Sequence, residues 1–475
     1  MAGTLGGSYS LTPTPEKVAL PGNYLKSSDF DFMNQYLPDL IEEEFERFGN
    51  QTIASFLRMA SAEIPSDSDL IKWSEEGRLH TKYQAMVPSA YSSGTEKFTL
   101  SAADIAAGRT VNVRLNETVL LSSDTDSGEK AHGIVTAIGA GSQDFTVAYY
   151  EDTTLGSPFA TAAITAFVYG SEFRKGDTGI VGSLDSDNDI YEVKPVIIKD
   201  KFEVSGSDMA QISWIHVDNG ADMNGYLWYL KSESDTRKRF EDKLEMMMIE
   251  HIEAESGSGA ETYLHPSGSG GGYAGTEGMF QAIENRGNLW TGGYPTAMSD
   301  YDDILKRLDK QGAIEQNALF INRDMSLATD NMLAAQNSYG VGGTSYGIFN
   351  NDEDMALNLG FTGFRRGTYD FYKTDWKYLN DASTRGALVG GNKNGVLVPA
   401  GETSVYDEVL GQDMKRPFLH CRFRQSKAES RKYKTWITGS AGGAATSDKD
   451  AMEVNFLSER ALCTLGANNF VLFQD

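Results

Sequence analysis

The chain has 475 residues, 40 % apolar and 23 % charged, a globular rather than a disordered profile overall, which sets an expectation of roughly two to four folded domains. Its 42 basic against 67 acidic residues leave a net charge of −25, so it gains nothing from counterion release on phosphate backbones and is a poor dedicated nucleic-acid binder. No stretch approaches the ~18 uninterrupted apolar residues of a membrane helix, and Cys421 and Cys463 supply neither a disulfide framework nor a four-cysteine zinc site.

In chain order, residues 1 to about 28 hold Pro13, Pro15 and Pro21 among Gly, Ser and Thr, and read as an extended arm. They contain no basic region followed by an apolar run, so the expectation is a protein made and assembled in the cytoplasm. Phe32, Met33, Tyr36, Leu37, Leu40, Ile41, Phe45 and Phe48 recur at helical spacing, and Ile53, Phe56 and Leu57 open a second short helix. From about 97 to 170 the pattern shortens to the alternating Val111–Leu115 and further short runs (Val119–Leu121, Ile134–Ile138, Phe145–Tyr150, Ile164–Tyr169) separated by turn-rich pieces. That spacing predicts a small antiparallel barrel or sandwich inserted into a loop of the main fold.

Val193–Lys199, Lys201–Ser205 and Ile212–Val217 read as three strands. A long helix is expected over 232–255, with Ser232 or Ser234 as N-cap and Phe240, Leu244, Met247, Met248 and Ile252 as its apolar stripe. Residues 257–275 and 340–347 are glycine-rich loops. Ser299 is expected to cap a helix carrying Ile304, Leu305 and Leu308 that Gly312 closes, followed by a strand at Ala318–Ile321 and a helix at Met325–Ala335. The last third is strand-like at Val396–Val398, Phe418–Phe423, Tyr433–Thr438, Met452–Phe456 and Phe470–Phe473.

Motifs for chemistry fail on their context. Gly270–Gly275 satisfies GxGxxG but lies in a low-complexity loop with no strand before it. Gly343–Gly347 matches GxSxG without an apolar strand before the serine. Asp185–Asp189 opens like a calcium loop but has Ile190 where glycine is needed. The six histidines are scattered with no metal-ligand spacing. No enzyme, cofactor or metal site is therefore expected.

Two charge groups remain. Glu250, Glu253 and Glu255 crowd the end of the long helix, where negative charge is unfavourable. They are either a solvated end or a set that meets basic groups on a neighbouring subunit. Arg422, Arg424, Arg431 and Lys432 belong to a basic run that also holds Lys415, Arg416, Lys427 and Lys434, interleaved with Phe418, Phe423 and Tyr433. Charged solvent faces of strands, inter-subunit pairing and contact with DNA all fit that run.

The order of these elements resembles the HK97-type major capsid proteins of tailed bacteriophages. The resemblance is carried by Lys194–Ser207, by Arg237-Lys238-Arg239-Phe240-Glu241 entering the long helix, by Gly278–Asn288, and by Phe456–Leu462 with Leu465–Phe470. Its texture is similar to a crAss-like or related podoviral lineage. It implies an α+β HK97-like fold: an N-arm and first helices over 1–65, and an E-loop over 66–205 containing the β-rich insert. It further implies a P-domain over 206–290 with the long helix as spine, an A-domain over 291–400, and C-terminal strands over 401–475 completing the P-domain. The implied function is a structural coat subunit that forms pentamers and hexamers of an icosahedral head around double-stranded DNA. The implied partners are other copies of itself, scaffolding, portal and head-decoration proteins, and the packaged DNA non-specifically, with no membrane. The implied location is the virion, assembled in the host cytoplasm; another virion part, a tail or baseplate component, is the alternative.

Overall fold

A computed structural model of the chain describes residues 4–5, 9–10, 56–57, 62–78, 80, 82–125, 128–151, 157–159, 163–184, 188–209, 227–264, 274–312, 314–336, 362–388, 390–400, 402–407, 412–441 and 446–475. Most of the expected arm, except the paired residues 4–5 and 9–10, lies outside these residues, as do the helix at 32–48, the strand at 212–217, the GxSxG stretch and most of the GxGxxG stretch. The architecture is α+β, and the chain divides into two units: 1–59, 197–247 and 427–459 in the smaller, and 60–196, 248–426 and 460–475 in the larger.

The main elements begin with strands β1 (Ala62–Ser66), β2 (Ile71–Glu76), β3 (Lys82–Ser92) and β4 (Thr95–Thr99), then helix α1 (Ala102–Ala106). Strands β5 (Glu117–Ser123), β6 (Lys130–Ile138), β7 (Asp144–Tyr149), β8 (Ile164–Ser171), β9 (Asn188–Val193) and β10 (Val196–Ser205) follow. Next come α2 (Leu227–Glu250), α3 (Met279–Arg286), β11 (Asn288–Trp290), α4 (Met298–Asp309), β12 (Gln316–Ile321) and α5 (Arg323–Gln336). The chain ends with β13 (Gly363–Arg366), β14 (Tyr369–Asp375), β15 (Lys393–Pro399), β16 (Glu402–Asp407), β17 (Gln412–Pro417), β18 (Leu419–Arg424), β19 (Lys434–Gly439), β20 (Ala451–Thr464) and β21 (Val471–Gln474).

In the larger unit β2 and β9 form an antiparallel ribbon, Ile71 opposite Val193 and Glu76 opposite Asn188. The 82–171 segment between them closes into a six-stranded barrel in the order β8-β3-β4-β7-β6-β5. Alternation fills it: Phe98, Val119, Leu121, Val135, Phe145, Val147 and Ile164 point inward and are buried. Gly133 has no room for a side chain, because a Cβ there would meet Val147 Cγ1 at 2.2 Å.

The barrel begins fifteen residues before the expected 97, because β3 lacks a readable alternation. Ala85 and Ala90 sit at φ 55° and 51°, and the register of β3 slips against both neighbours. These irregularities bend one long strand so that it pairs with both β8 and β4. Conversely, Val111–Leu115 alternates, with Val111 and Val113 buried, yet forms no strand. Its amides are taken elsewhere: Asn112 N donates to the Tyr83 hydroxyl at 2.5 Å, Arg114 N to Glu117 at 2.9 Å, and Val111 N to the Ser142 carbonyl at 2.6 Å.

The second sheet of the larger unit runs β11-β21-β15-β12-β14-β13. The parallel pair β12/β14 is bridged by α5, and the C-terminal β21 lies between β11 and β15. Its core joins Tyr301, Ile304 and Leu308 of α4 to Leu319, Met325, Leu333, Phe364, Phe371, Leu397 and Phe473. Phe364 stacks on Phe371 at 5.0 Å, with Tyr301 edge-on to Phe364 at 5.1 Å. Ser299 does not cap α4; the Asp300 carboxylate does, accepting from Thr296 N and Ala297 N at 2.9 and 3.0 Å. A third sheet places β18 parallel to β1 and antiparallel to residues 460–464 of β20.

In the smaller unit, β19 pairs antiparallel with residues 452–457 of β20, and Phe240 of α2 packs on Tyr433 and Phe456 at 5.5 and 5.8 Å. The expected strands 193–199 and 201–205 are one continuous strand, β10, starting beyond Pro195. The long helix runs 227–250 rather than 232–255, which places Ser232 and Ser234 inside it rather than at its cap.

Candidate assembly surface

Helix α2 stops at Glu250 because the chain beyond it is captured by other backbone. Gly278 N donates to the His251 carbonyl at 2.8 Å, Ala254 N donates to the Ala274 carbonyl at 3.0 Å, and Glu253 bridges Gly275. Gly275, at φ 81°, lies so close that a Cβ would meet the Ile252 carbonyl at 2.4 Å. Ile252, expected in the apolar stripe, is consequently exposed.

This ending distributes the three acids differently. Glu250 accepts from both Nε and Nη2 of Arg385, the latter at 2.9 Å, and from the Tyr378 hydroxyl at 2.7 Å. A forked guanidinium thus neutralises a carboxylate at the unfavourable end of the helix dipole. Arg385 also lies over the Phe280 ring at 5.3 Å. Burial of the Tyr378 hydroxyl, and then its bond to Glu250, push its pKa above the ordinary tyrosine range. Glu253 pairs with the largely buried Lys194 at 2.7 Å. Glu255 is exposed and contributes a backbone carbonyl to the turn that follows.

The basic residues are likewise separated, Arg422 and Arg424 on strand β18 and Arg431 and Lys432 in the loop before β19. On β18, Arg422 donates to His420 Nε2 at 3.3 Å and Arg424 is ion-paired with Asp69. In the smaller unit, Arg431 pairs with Glu459 at 2.6 Å, and the Lys432 carbonyl accepts from the Ser458 hydroxyl at 2.6 Å. The partners of Glu250, Glu253, Arg424 and Arg431 are thus other residues of this chain, some more than a hundred positions away. No local pattern in the sequence pointed to them.

Two further groups escaped the sequence for the same reason. Lys201 lies 2.9 and 3.2 Å from Glu203 and Glu453, and Lys449 lies 2.6 Å from each, an alternating four-charge network on the smaller unit. Hydrogen bonds from Lys449 and Lys201 hold the Glu453 carboxyl down to about 2. On the larger unit, the Arg286 guanidinium lies 4.4 Å from the Tyr191 ring centroid and 5.6 Å from that of Trp73, with Glu277 at 2.6 Å. Trp73 and Tyr191 are opposed residues of the β2/β9 ribbon, so this clamp fixes one ribbon face. Ile71 and Val193 on that face pack with Ala461 and Cys463. The other face, with Lys72, Ser74, Glu76, Ile190 and Glu192, is exposed.

Among the described residues no group of three or more His, Cys, Asp or Glu side chains could hold a metal ion, and no helix is long and apolar enough to cross a membrane.

No protein-family model and no curated protein matches the chain. Among solved structures, a chain from Gordonia phage Cozz aligns at 8 % identity over 98 % of each chain, with a TM-score of 0.40. One from Mycobacterium phage Ogopogo aligns at 9 % identity over 95 % of this chain and 99 % of that one, TM-score 0.40. A chain of the capsid of a native GTA particle aligns at 9 % identity over 92 % and 95 %, TM-score 0.38. Superposition at this level establishes neither family nor activity, so function is argued from the chain's own elements.

Proposed function

We propose that this chain is a structural coat subunit that self-assembles into pentamers and hexamers of an icosahedral phage head enclosing double-stranded DNA. The observation that carries the reading is the β2/β9 ribbon, which leads the chain out to a closed barrel and back. A two-stranded ribbon is marginal by itself. This one is held on one face by Arg286 and leaves the other open, with Ile190 69 % exposed at its centre. An excursion of that kind gains stability when a neighbouring copy covers it, and repetition of modest contacts around symmetry axes closes a shell. The exposed apolar side chains Val181 and Leu184 lie on the same return path.

The lineage, crAss-like or related podoviral, rests on the sequence resemblance alone, as do the scaffolding, portal and decoration partners and a location in the virion. The charge groups Glu250, Glu253, Glu255, Arg422, Arg424, Arg431 and Lys432 remain candidate contacts between copies. Exposed Glu255 is available as it stands, and the paired residues would have to exchange a partner within the chain for one on a neighbour.

Light scattering and negative-stain microscopy on purified protein, with and without co-expressed neighbouring genes, test the reading. Closed shells, or rings of five and six copies, are expected. A monodisperse monomer or dimer under every condition would sink it. Ile190→Asp, on the open ribbon face, should abolish the assemblies while leaving the melting of the isolated chain unchanged.

A further inference from the structure

We propose that the inserted barrel carries a binding groove for an organic cation, a guanidinium or alkylammonium group, formed by Tyr150, Tyr169, His132, Glu151 and Glu172. The groove is a shallow, open depression of about 590 Å³ where β5, β6 and β8 end beside the segment after β7, and it is also lined by Thr118, Gly170 and Ser171.

Its side chains are positioned rather than loose. Tyr169 occupies a bulge: the β8 register against β5 slips between Val168 and Gly170, which turns the tyrosine out of the ladder. Its ring is 51 % exposed and stands edge-on to His132 at 6.1 Å. Tyr150, 50 % exposed, donates its hydroxyl to Glu172 at 2.5 Å. Burial, and then that bond, push the Tyr150 hydroxyl up to about 12, so it stays a donor and holds the carboxylate in place. Glu151 is anchored by the His132 backbone N–H at 3.0 Å and lies 2.9 Å from His132 Nδ1. Gly170 keeps the floor open, since a Cβ there would approach Thr118 Oγ1 at 3.1 Å.

The chemistry of this lining selects one class of ligand. Two carboxylates face a single histidine, and neither lysine nor arginine contributes to the wall. The faces of two tyrosines are themselves electronegative and accept a flat or alkylated cation at close range. Glu172 uses one oxygen for Tyr150, leaving the other for a donor on the ligand. An anion would meet uncompensated negative charge here. The same chemistry serves a basic side chain of a partner polypeptide or a free polyamine.

The test is a titration of the whole chain, monitored by calorimetry or by saturation-transfer NMR on the ligand. The two probes are an unstructured peptide with one central arginine and spermidine. A saturable interaction with a Kd of roughly 1 mM at low salt is expected for at least one of them, weakening as salt is raised. Tyr169→Ala and Glu172→Gln should each weaken it roughly three- to tenfold. Gln143→Ala, at the exposed turn between β6 and β7, should leave it unchanged, with circular dichroism confirming that every variant is folded. Preference for the peptide identifies a basic polypeptide as the source, and preference for spermidine a small amine; either outcome supports the groove. No saturable binding of either probe, binding that survives both groove variants, or binding of a neutral oligosaccharide in their place would overturn it.

Discussion

The barrel and the β11–β21 sheet belong to the same unit but are built in opposite ways. The barrel takes its strands from one run, 82–171, and its buried residues Met86 to Ala166 all come from that run. The sheet gathers strands from 288 to 474, and its core joins Tyr301 to Phe473. One is closed and has no free edges, whereas the other needs the strand at 471–474 to join residues 288–290 to 393–397. The difference teaches that the insert can be an independent module, while the sheet depends on a strand almost two hundred residues away from its first.

Removing residues 471–475 breaks the comparison most severely. It deletes β21, leaving β11 and β15 without their shared neighbour and the core without Phe473. Hydrogen exchange read by mass spectrometry should show loss of protection across 288–400 and retained protection across 82–171. Equal loss in both would mean that the barrel depends on the sheet. The complementary fragment, 82–171 alone, should fold and melt cooperatively.

Smaller effects sharpen the same contrast. Phe98→Ala empties a fully buried position in contact distance of Phe145 and Phe159, and should cost about 3–5 kcal/mol, confined to barrel amides. In the sheet, Lys373 of β14 pairs with Asp330 of α5 at 2.5 Å, and both are nearly buried. Lys373→Ala removes the charge that faces this buried carboxylate and should cost about 3 kcal/mol, visible as a lower denaturation midpoint with sheet amides exchanging first. Arg366 pairs with Asp302 on the surface of the same sheet, where water screens the pair, and Arg366→Ala should leave the denaturation midpoint close to that of the parent chain.

The smallest effect concerns acid. In the smaller unit the Glu453 carboxyl is depressed to about 2 by Lys449 and Lys201, against 4.5 for an ordinary glutamate. A depressed carboxyl contributes its stabilisation fully above the unfolded value and loses it as pH falls through the folded one. The melting difference between the parent chain and Glu453→Gln should therefore be constant above about pH 5, shrink between 4.5 and 2, and vanish below. A difference that grows on acidification would contradict the network.

Much of the framework was legible locally. Alternation located β7 to within one residue and marked the first half of β20, since a period of two with one buried face has few other solutions, while short continuous apolar runs marked β15 and β21. The apolar stripe Phe240, Leu244 and Met248 located α2, and all three are buried. Resemblance suggested how these elements group into larger parts, which neither alternation nor spacing could supply. Strand β3 was hidden by its left-handed alanines and Pro88, and Val111–Leu115 alternated without joining a ladder because side chains took its amides.

The candidate charges show the same boundary. Composition and helix polarity sufficed to mark Glu250 as out of place. Its partner Arg385, 135 residues away, depended on how the chain beyond α2 was captured by 274–278. The groove residues are spread from Thr118 to Glu172 and meet only because the barrel closes. Local periodicity is set by which faces must avoid water, and the sequence by itself determines that. Which distant charge neutralises which, and which side chains converge on one cavity, is decided by closure and register, and these exist only in the tertiary structure.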